Sequence, residues 1–200
     1  MIVVGITQRS LPPTEYGELR YGLDRRWFAF LDACGVTAVP LPNLAGLALD
    51  TARRFELDGL VFSGGETLAA YGGPSPGRDE TETALLRWAL EVRVPVLGVC
   101  RGAQVLLDAF GTALVPVDGH VSRRHEVVGE GGTRTVNSYH HYAARTVAEP
   151  LRITAVAGDV VEGFRHREAD VLGIMWHPER EEPFDAADVK LVGSLFGSVL

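Results

Sequence analysis

Two hundred residues with 46% hydrophobic and 22% charged side chains suffice for one compact domain with a well-covered core, so a single domain over residues 1–200 is expected. A formal charge of -7 speaks against general affinity for nucleic acid, whose backbone rewards a basic face, and favours small-molecule chemistry. Two cysteines suggest neither a disulfide framework nor a cysteine-rich metal site, and with no basic leader or bilayer-length apolar span, a cytoplasmic protein without membrane contact is expected.

Residues 2–6 are apolar and β-branched, the pattern of a central strand covered on both faces. Thr7-Gln8-Arg9 then lies at its carboxyl end, the edge where ligands bind in open α/β sheets. After a two-proline loop, helical spacing resumes at Leu19, Leu23, Trp27, Phe30, Leu31 and Cys34, closed by Gly35. Cys34 reads as a small buried hydrophobe. Residues 36–41 predict a second strand, and 44–55 a helix capped by Asn43 with Leu44, Leu47 and Ala48 facing inward. A third strand at 58–62 ends on Ser63-Gly64-Gly65-Glu66, and a glycine- and proline-rich loop precedes a helix from about Asp79 to Val92. Strands alternating with helices in this way predict right-handed βαβ units and an α/β fold with a doubly wound, mostly parallel sheet.

Residues 94–107 then read as strand, sharp turn and helix, with Gly98 and Gly102 flanking Cys100. This G-x-C-x-G is the thiol counterpart of a nucleophile elbow, in which a strained turn lifts the reactive side chain above a parallel sheet. The following helix points its positive end at the sulfur and favours the thiolate. Past Gly111 the texture changes to short β-like pieces at 112–117, 125–128, 134–136, 153–156, 160–164 and 171–176, with turns at Gly158-Asp159 and 165–170. A smaller antiparallel sheet in the C-terminal half follows from them. Apolar spacing at Val189, Val192, Leu195, Phe196 and Val199 predicts a closing helix over 185–200.

A thiolate attacking a carbonyl needs a base and a group that orients the base. His177-Pro178-Glu179 supplies both if the chain is extended there, since residues two apart then share a side. The oxyanion formed on attack needs donors already in place, and the N–H of Arg101 and the Gly64-Gly65 loop are the candidates. Trp27 and Trp88 are expected to fill the core, and Trp176 to line the site. No metal or other cofactor is implied: His140 and His141, beside Tyr139 and Tyr142, suit substrate contacts or packing better than ligand spacing.

Taken together, Gly98–Gly102, Gly64-Gly65 and His177–Glu179 resemble the class I glutamine amidotransferase superfamily over nearly the whole chain. The resemblance implies a flavodoxin-like fold and a Cys100–His177–Glu179 triad that cleaves a γ-glutamyl amide through a γ-glutamyl thioester. It also assigns the glutamyl head group to Gln104 and the neighbourhood of Ser138, Tyr139 and His140. Val99–Gly102 and Asn137–His141 are similar to the γ-glutamyl-γ-aminobutyrate hydrolases, although Gly64-Gly65-Glu66 stands where that family has Gly-Gly-Gly-Asp. Ile6–Arg9, Tyr16–Glu18, Leu41–Asn43 and Gly173–Glu181 resemble the shorter γ-glutamyl-CDP-amidate hydrolase branch, which implies a phosphorylated leaving group. Arg9 and the cluster His120, Arg123, Arg124 and His125 are the candidate cations for it. The partner expected is thus a small-molecule γ-glutamyl amide, and a homodimer is compatible with the sequence. Two other readings stay open: a glutaminase subunit feeding ammonia to a synthase, and a catalytically silent or redox-sensing protein on the same fold, with Cys100 as its oxidisable thiol.

Overall fold

In a computed structural model that describes residues 1–198, nine strands form one continuous sheet. In chain order they are β1 (Ile2–Thr7), β2 (Val36–Leu41), β3 (Gly59–Phe62), β4 (Val96–Val99), β5 (Val121–Gly129), β6 (Gly132–Tyr139), β7 (Leu151–Ala157), β8 (Val160–His166) and β9 (Val171–Ile174). Across the sheet the order is β2-β1-β3-β4-β9-β8-β7-β5-β6. The first five are parallel, with Gly5 beside Leu60, Val61 beside Leu97 and Leu97 beside Leu172. From β9 onward the pairing is antiparallel, so the C-terminal hairpins extend the parallel sheet. Two small antiparallel pairs, Arg9–Ser10 with Tyr21–Gly22 and Val115–Pro116 with Tyr142–Ala143, stand apart from it.

Helices α1 (Arg26–Ala33), α2 (Ala45–Arg54), α3 (Pro76–Val92), α4 (Arg101–Ala109) and α5 (Ala186–Leu195) cover both faces. One core gathers Ala48, Ala52, Leu85, Trp88 and Leu106 from α2, α3 and α4, and the other Trp27, Phe30, Leu31, Cys34 and Val192 from the α1 and α5 side. The apolar strands β3, β4 and β9 lie between them, buried on every residue. No helix among the described residues is long and apolar enough to cross a membrane.

The helix after the first loop begins only at Arg26, because residues 21–22 are held as a strand against Arg9–Ser10, and Leu19 is 79% exposed. On α2 the inward residues are Ala48 and Ala52, whose small side chains permit close packing on α3, while Leu44 and Leu47 are 52% and 56% exposed. Asn43 does not cap that helix: its Nδ2 donates to the Gln8 carbonyl (2.8 Å), tying the end of β2 to the exit of β1. Pro76, suited to the first helical turn, starts α3 ahead of Asp79. The closing helix is capped by Asp185 and ends at Leu195; Val199 and Leu200, where it was expected to finish, lie outside the described residues.

Candidate active site

The carboxyl ends of β3, β4 and β9, neighbours in the sheet, deliver the chemistry-bearing residues to one edge. Cys100 joins β4 to α4 with φ +52° and ψ -105°, a left-handed conformation that L-residues avoid and that strained catalytic turns adopt. The Cys100 N–H donates to the Ile174 carbonyl at 2.8 Å, fixing the elbow to β9. A Cβ on Gly102 would run into the Phe62 carbonyl, so only glycine lets the first turn of α4 settle onto β3.

His177 follows β9, and its Nδ1 lies 2.7 Å from Glu179 Oε1, both side chains being buried. The backbone that achieves this is not extended. Pro178–Arg180 is a single 3₁₀ turn, which folds Glu179 back beneath the ring. Asn137 holds the histidine backbone from both sides, accepting from the His177 N–H (2.9 Å) and donating to its carbonyl (2.8 Å). With Nδ1 on Glu179, Nε2 is left for the sulfur. Burial alone would push the His177 imidazole down, but charge and hydrogen-bond contacts with Cys100 and Glu179 outweigh it and carry the pKa to about 9.

That shift has a measurable sign. The folded state favours the charged ring, so its contribution to stability is complete below the unfolded value of 6.5 and disappears as pH rises through about 9. The Tm of the wild-type protein should therefore fall across this window relative to His177→Gln, and parallel Tm curves for the two proteins would exclude a charged, partnered imidazole.

The oxyanion candidates flank the sulfur. The Arg101 N–H opens α4, where first-turn amides lack partners within the helix. Gly64, after β3, lies so near His177 that a Cβ there would stand 2.5 Å from the ring Cε1. The loop carrying it is held by Arg78, which composition and spacing did not single out. Arg78 reaches the Ser63 carbonyl at 2.7 Å and the Gly64 carbonyl at 3.3 Å, and pairs with Glu82 (3.0 Å) and Glu66 (3.1 Å). Glu82 in turn accepts from Thr7 Oγ1 (2.6 Å) and from the buried Arg101 guanidinium, which also meets Asp79. The ends of β1 and β3 and the starts of α3 and α4 are thus joined by one buried polar network.

Two recesses open beside the catalytic line. A small one of about 40 Å³ is lined by Gly65, Thr67, Cys100, Gln104, Tyr139 and His140, among others. Gln104 is oriented there by donating to the Tyr142 carbonyl (2.8 Å). Ser138 is not among its lining residues; it is fully buried and donates to the His120 carbonyl (2.6 Å). The second recess, about 280 Å³, lies on the other side of His177 and is lined by Arg9, Leu11, Leu23, Trp27, Gly64 and Arg180, among others. Arg180 stacks over Tyr139 (4.5 Å), whose ring meets His177 edge-on.

Arg123 and Arg124 are not among the residues lining either recess. Arg124 is bound to Glu181 at 2.9 Å, and His120 and His125 of the same cluster turn to buried Glu162. Trp176 also departs from expectation, donating to Asp188 (3.1 Å) beneath Arg134 and away from both recesses. Asn137 and Arg180 each fall inside a stretch of family resemblance, Asn137–His141 and Gly173–Glu181, but neither residue type marks a role of its own in the sequence.

The family described as glutamine amidotransferase class-I matches the chain over residues 33–186. Gamma-glutamyl-CDP-amidate hydrolase of Campylobacter jejuni is 31% identical over 182 residues, which span 89% of this chain and 90% of that protein. Gamma-glutamyl-gamma-aminobutyrate hydrolase of Shigella flexneri is 31% identical over 172 residues, 70% of this chain and 65% of its own. The crystal structure of a glutamine amidotransferase from Thermotoga maritima matches with a TM-score of 0.66 over 98% of this chain and 94% of the other, at 15% identity, a likeness of fold alone.

Proposed function

Since the chain belongs to the class-I glutamine amidotransferase family, we propose that it hydrolyses γ-glutamyl amides, with Cys100 as nucleophile, His177 as general acid and base, and Glu179 as the group that orients the imidazole. The observation that carries this reading is the meeting of the strained Cys100 elbow with the buried His177–Glu179 pair between two recesses.

The sulfur attacks the γ-carbonyl, and the negative oxygen is received by the Arg101 N–H and the Gly64-Gly65 loop. His177 protonates the departing nitrogen as the C–N bond breaks, leaving a γ-glutamyl thioester on Cys100. Water then attacks the thioester, its proton passes to His177, and glutamate leaves as the C–S bond breaks. The small recess takes the glutamyl head group against Gln104, Tyr139 and His140. The larger recess takes the amine, and Arg9 and Arg180 suit a phosphoryl group on its nitrogen.

Glutamate release by the purified chain tests the reading, because a hydrolase needs no partner, whereas a subunit that hands ammonia to a synthase works poorly without its own. For the leaving group, Arg9→Ala should raise KM for phosphoryl-bearing γ-glutamyl amides by about 10-fold or more, the loss of a charged hydrogen bond, while plain amides change little. Equal losses on both substrate types would remove the phosphoryl assignment and leave the hydrolase reading standing.

A further inference from the structure

Outside the triad the most unusual group of side chains is a knot of three imidazoles around one carboxylate. Glu162 on β8 is fully buried, and its Oε1 lies 3.0 Å from His120 Nδ1, 3.2 Å from His140 Nε2 and 3.4 Å from His125 Nε2. The ring centroids of His120 stand 4.6 Å from those of His125 and 4.8 Å from those of His140. None of these contacts is used by the chemistry above, although His140 presents its other side to the small recess.

Ordinary hydrogen bonding does not account for the arrangement. A carboxylate has two oxygens with two lone pairs each, yet all three imidazoles crowd onto Oε1 and Oε2 has no partner. Only His140 meets Glu162 with hydrogen-bond geometry; His120 Nδ1 and His125 Nε2 are buried without a hydrogen-bond partner. Buried polar atoms rarely stay unmatched, and three touching rings sharing positive charge would repel one another. A divalent cation resolves both problems, since neutral imidazole nitrogens and an ionised carboxylate become ligands. Donors about 2.1 Å from a tetrahedral ion stand about 3.4 Å from each other, close to the 3.0–3.4 Å between Glu162 Oε1 and the three imidazole nitrogens.

We infer that His120, His125 and Glu162, with His140 beside them, form a binding site for a divalent first-row metal ion of the zinc class. The donor atoms of His120, His125 and Glu162 lie within 4.8 Å of one another. Imidazole with one carboxylate is a donor set suited to zinc and its neighbours, whereas calcium or magnesium requires oxygen throughout. The donors come from the segment before β5, from β5 itself, from the end of β6 and from β8, so the ion would clamp four pieces of chain behind the wall of the small recess. This placement, not adjacency in sequence, is why a linear ligand motif is absent. The site stands independently of the proposed hydrolase activity, and no step of that reaction passes through it.

The test uses untagged protein, stripped with a chelator and titrated with Zn²⁺ and then with Co²⁺. One equivalent of zinc per chain, a rise in Tm on zinc addition, and visible ligand-field bands of a low-symmetry Co²⁺ site are expected. His125→Gln, at the partly exposed margin of the cluster, should weaken zinc binding by more than about 100-fold, beyond the cost of losing an outer partner. His166→Gln, remote from the cluster, should retain it. Labelling of Cys100 by a diazo-ketone glutamine analogue would report that the variants remain folded. Absence of stoichiometric zinc in wild type, or equal zinc binding by wild type and folded His125→Gln, would overturn the site.

Discussion

Cys100→Ala is expected to lower glutamate release from γ-glutamyl amides by roughly 10⁴-fold or more, the order seen when the nucleophile of a triad is removed. Labelling by a diazo-ketone glutamine analogue should vanish with it. Alanine at this position keeps the left-handed turn but removes the only atom able to carry the acyl group. The comparison is Cys34→Ala. Cys34 is wholly enclosed by the α1 core, and burial pushes its thiol up to about 12, so it offers no competing nucleophile and its loss should leave turnover unchanged. Steady-state assays and mass spectrometry of the labelled chain check both. Residual activity in Cys100→Ala above about one part in a hundred would mean that water is activated directly, without an acyl-enzyme.

The second large effect concerns the network below the elbow. Arg78→Met should destabilise the protein by about 3–5 kcal/mol, the usual cost of leaving one partner of a buried ion pair uncompensated. Glu82, fully buried, would keep its contacts with Thr7 and Arg101 but lose the guanidinium of Arg78, and Glu66 would lose its cation too. The Ser63 and Gly64 carbonyls would also be released, so surviving folded enzyme should show a lower kcat with little change in KM. Adding Glu82→Gln, which removes the stranded charge while keeping an acceptor for Thr7, should restore part of the stability. Urea denaturation of the single and double variants measures this. A loss below about 1 kcal/mol in Arg78→Met would show that the network contributes no more than a surface pair.

The contrast between what could and could not be read from the residues has a physical basis. The elbow, the Gly-Gly loop and His177-Pro178-Glu179 are legible because each needs particular residue types within five positions, and the βαβ rhythm is legible because strand and helix periods differ. Arg78, Glu82 and Asn137 are not, because their roles arise only when segments far apart in the chain meet. Thr7 and Glu82, for instance, are 75 residues apart. The late start of α1 was hidden for the same reason: helical spacing at Leu19 and Leu23 is real, but strand pairing with Arg9–Ser10 overrides it. His120 and His125, read as companions of Arg123 and Arg124, turn instead to Glu162 because β5 is bulged between Val121 and Arg123. A bulge shifts which side chains face inward, and periodicity alone carries no mark of it.

The two recesses draw their walls from largely separate stretches of polypeptide. Gln104, Tyr139 and His140 surround one, while residues 9–27, together with the start of the Gly-Gly loop and Arg180, surround the other. If the recesses hold the acyl group and the amine as proposed, acyl-group recognition and amine choice are modular. On that assignment, exchanging the short N-terminal hairpin would redirect the enzyme to another nitrogen-bearing product and leave glutamate recognition unaltered, a division of labour by which one scaffold could diversify without rebuilding its reactive centre.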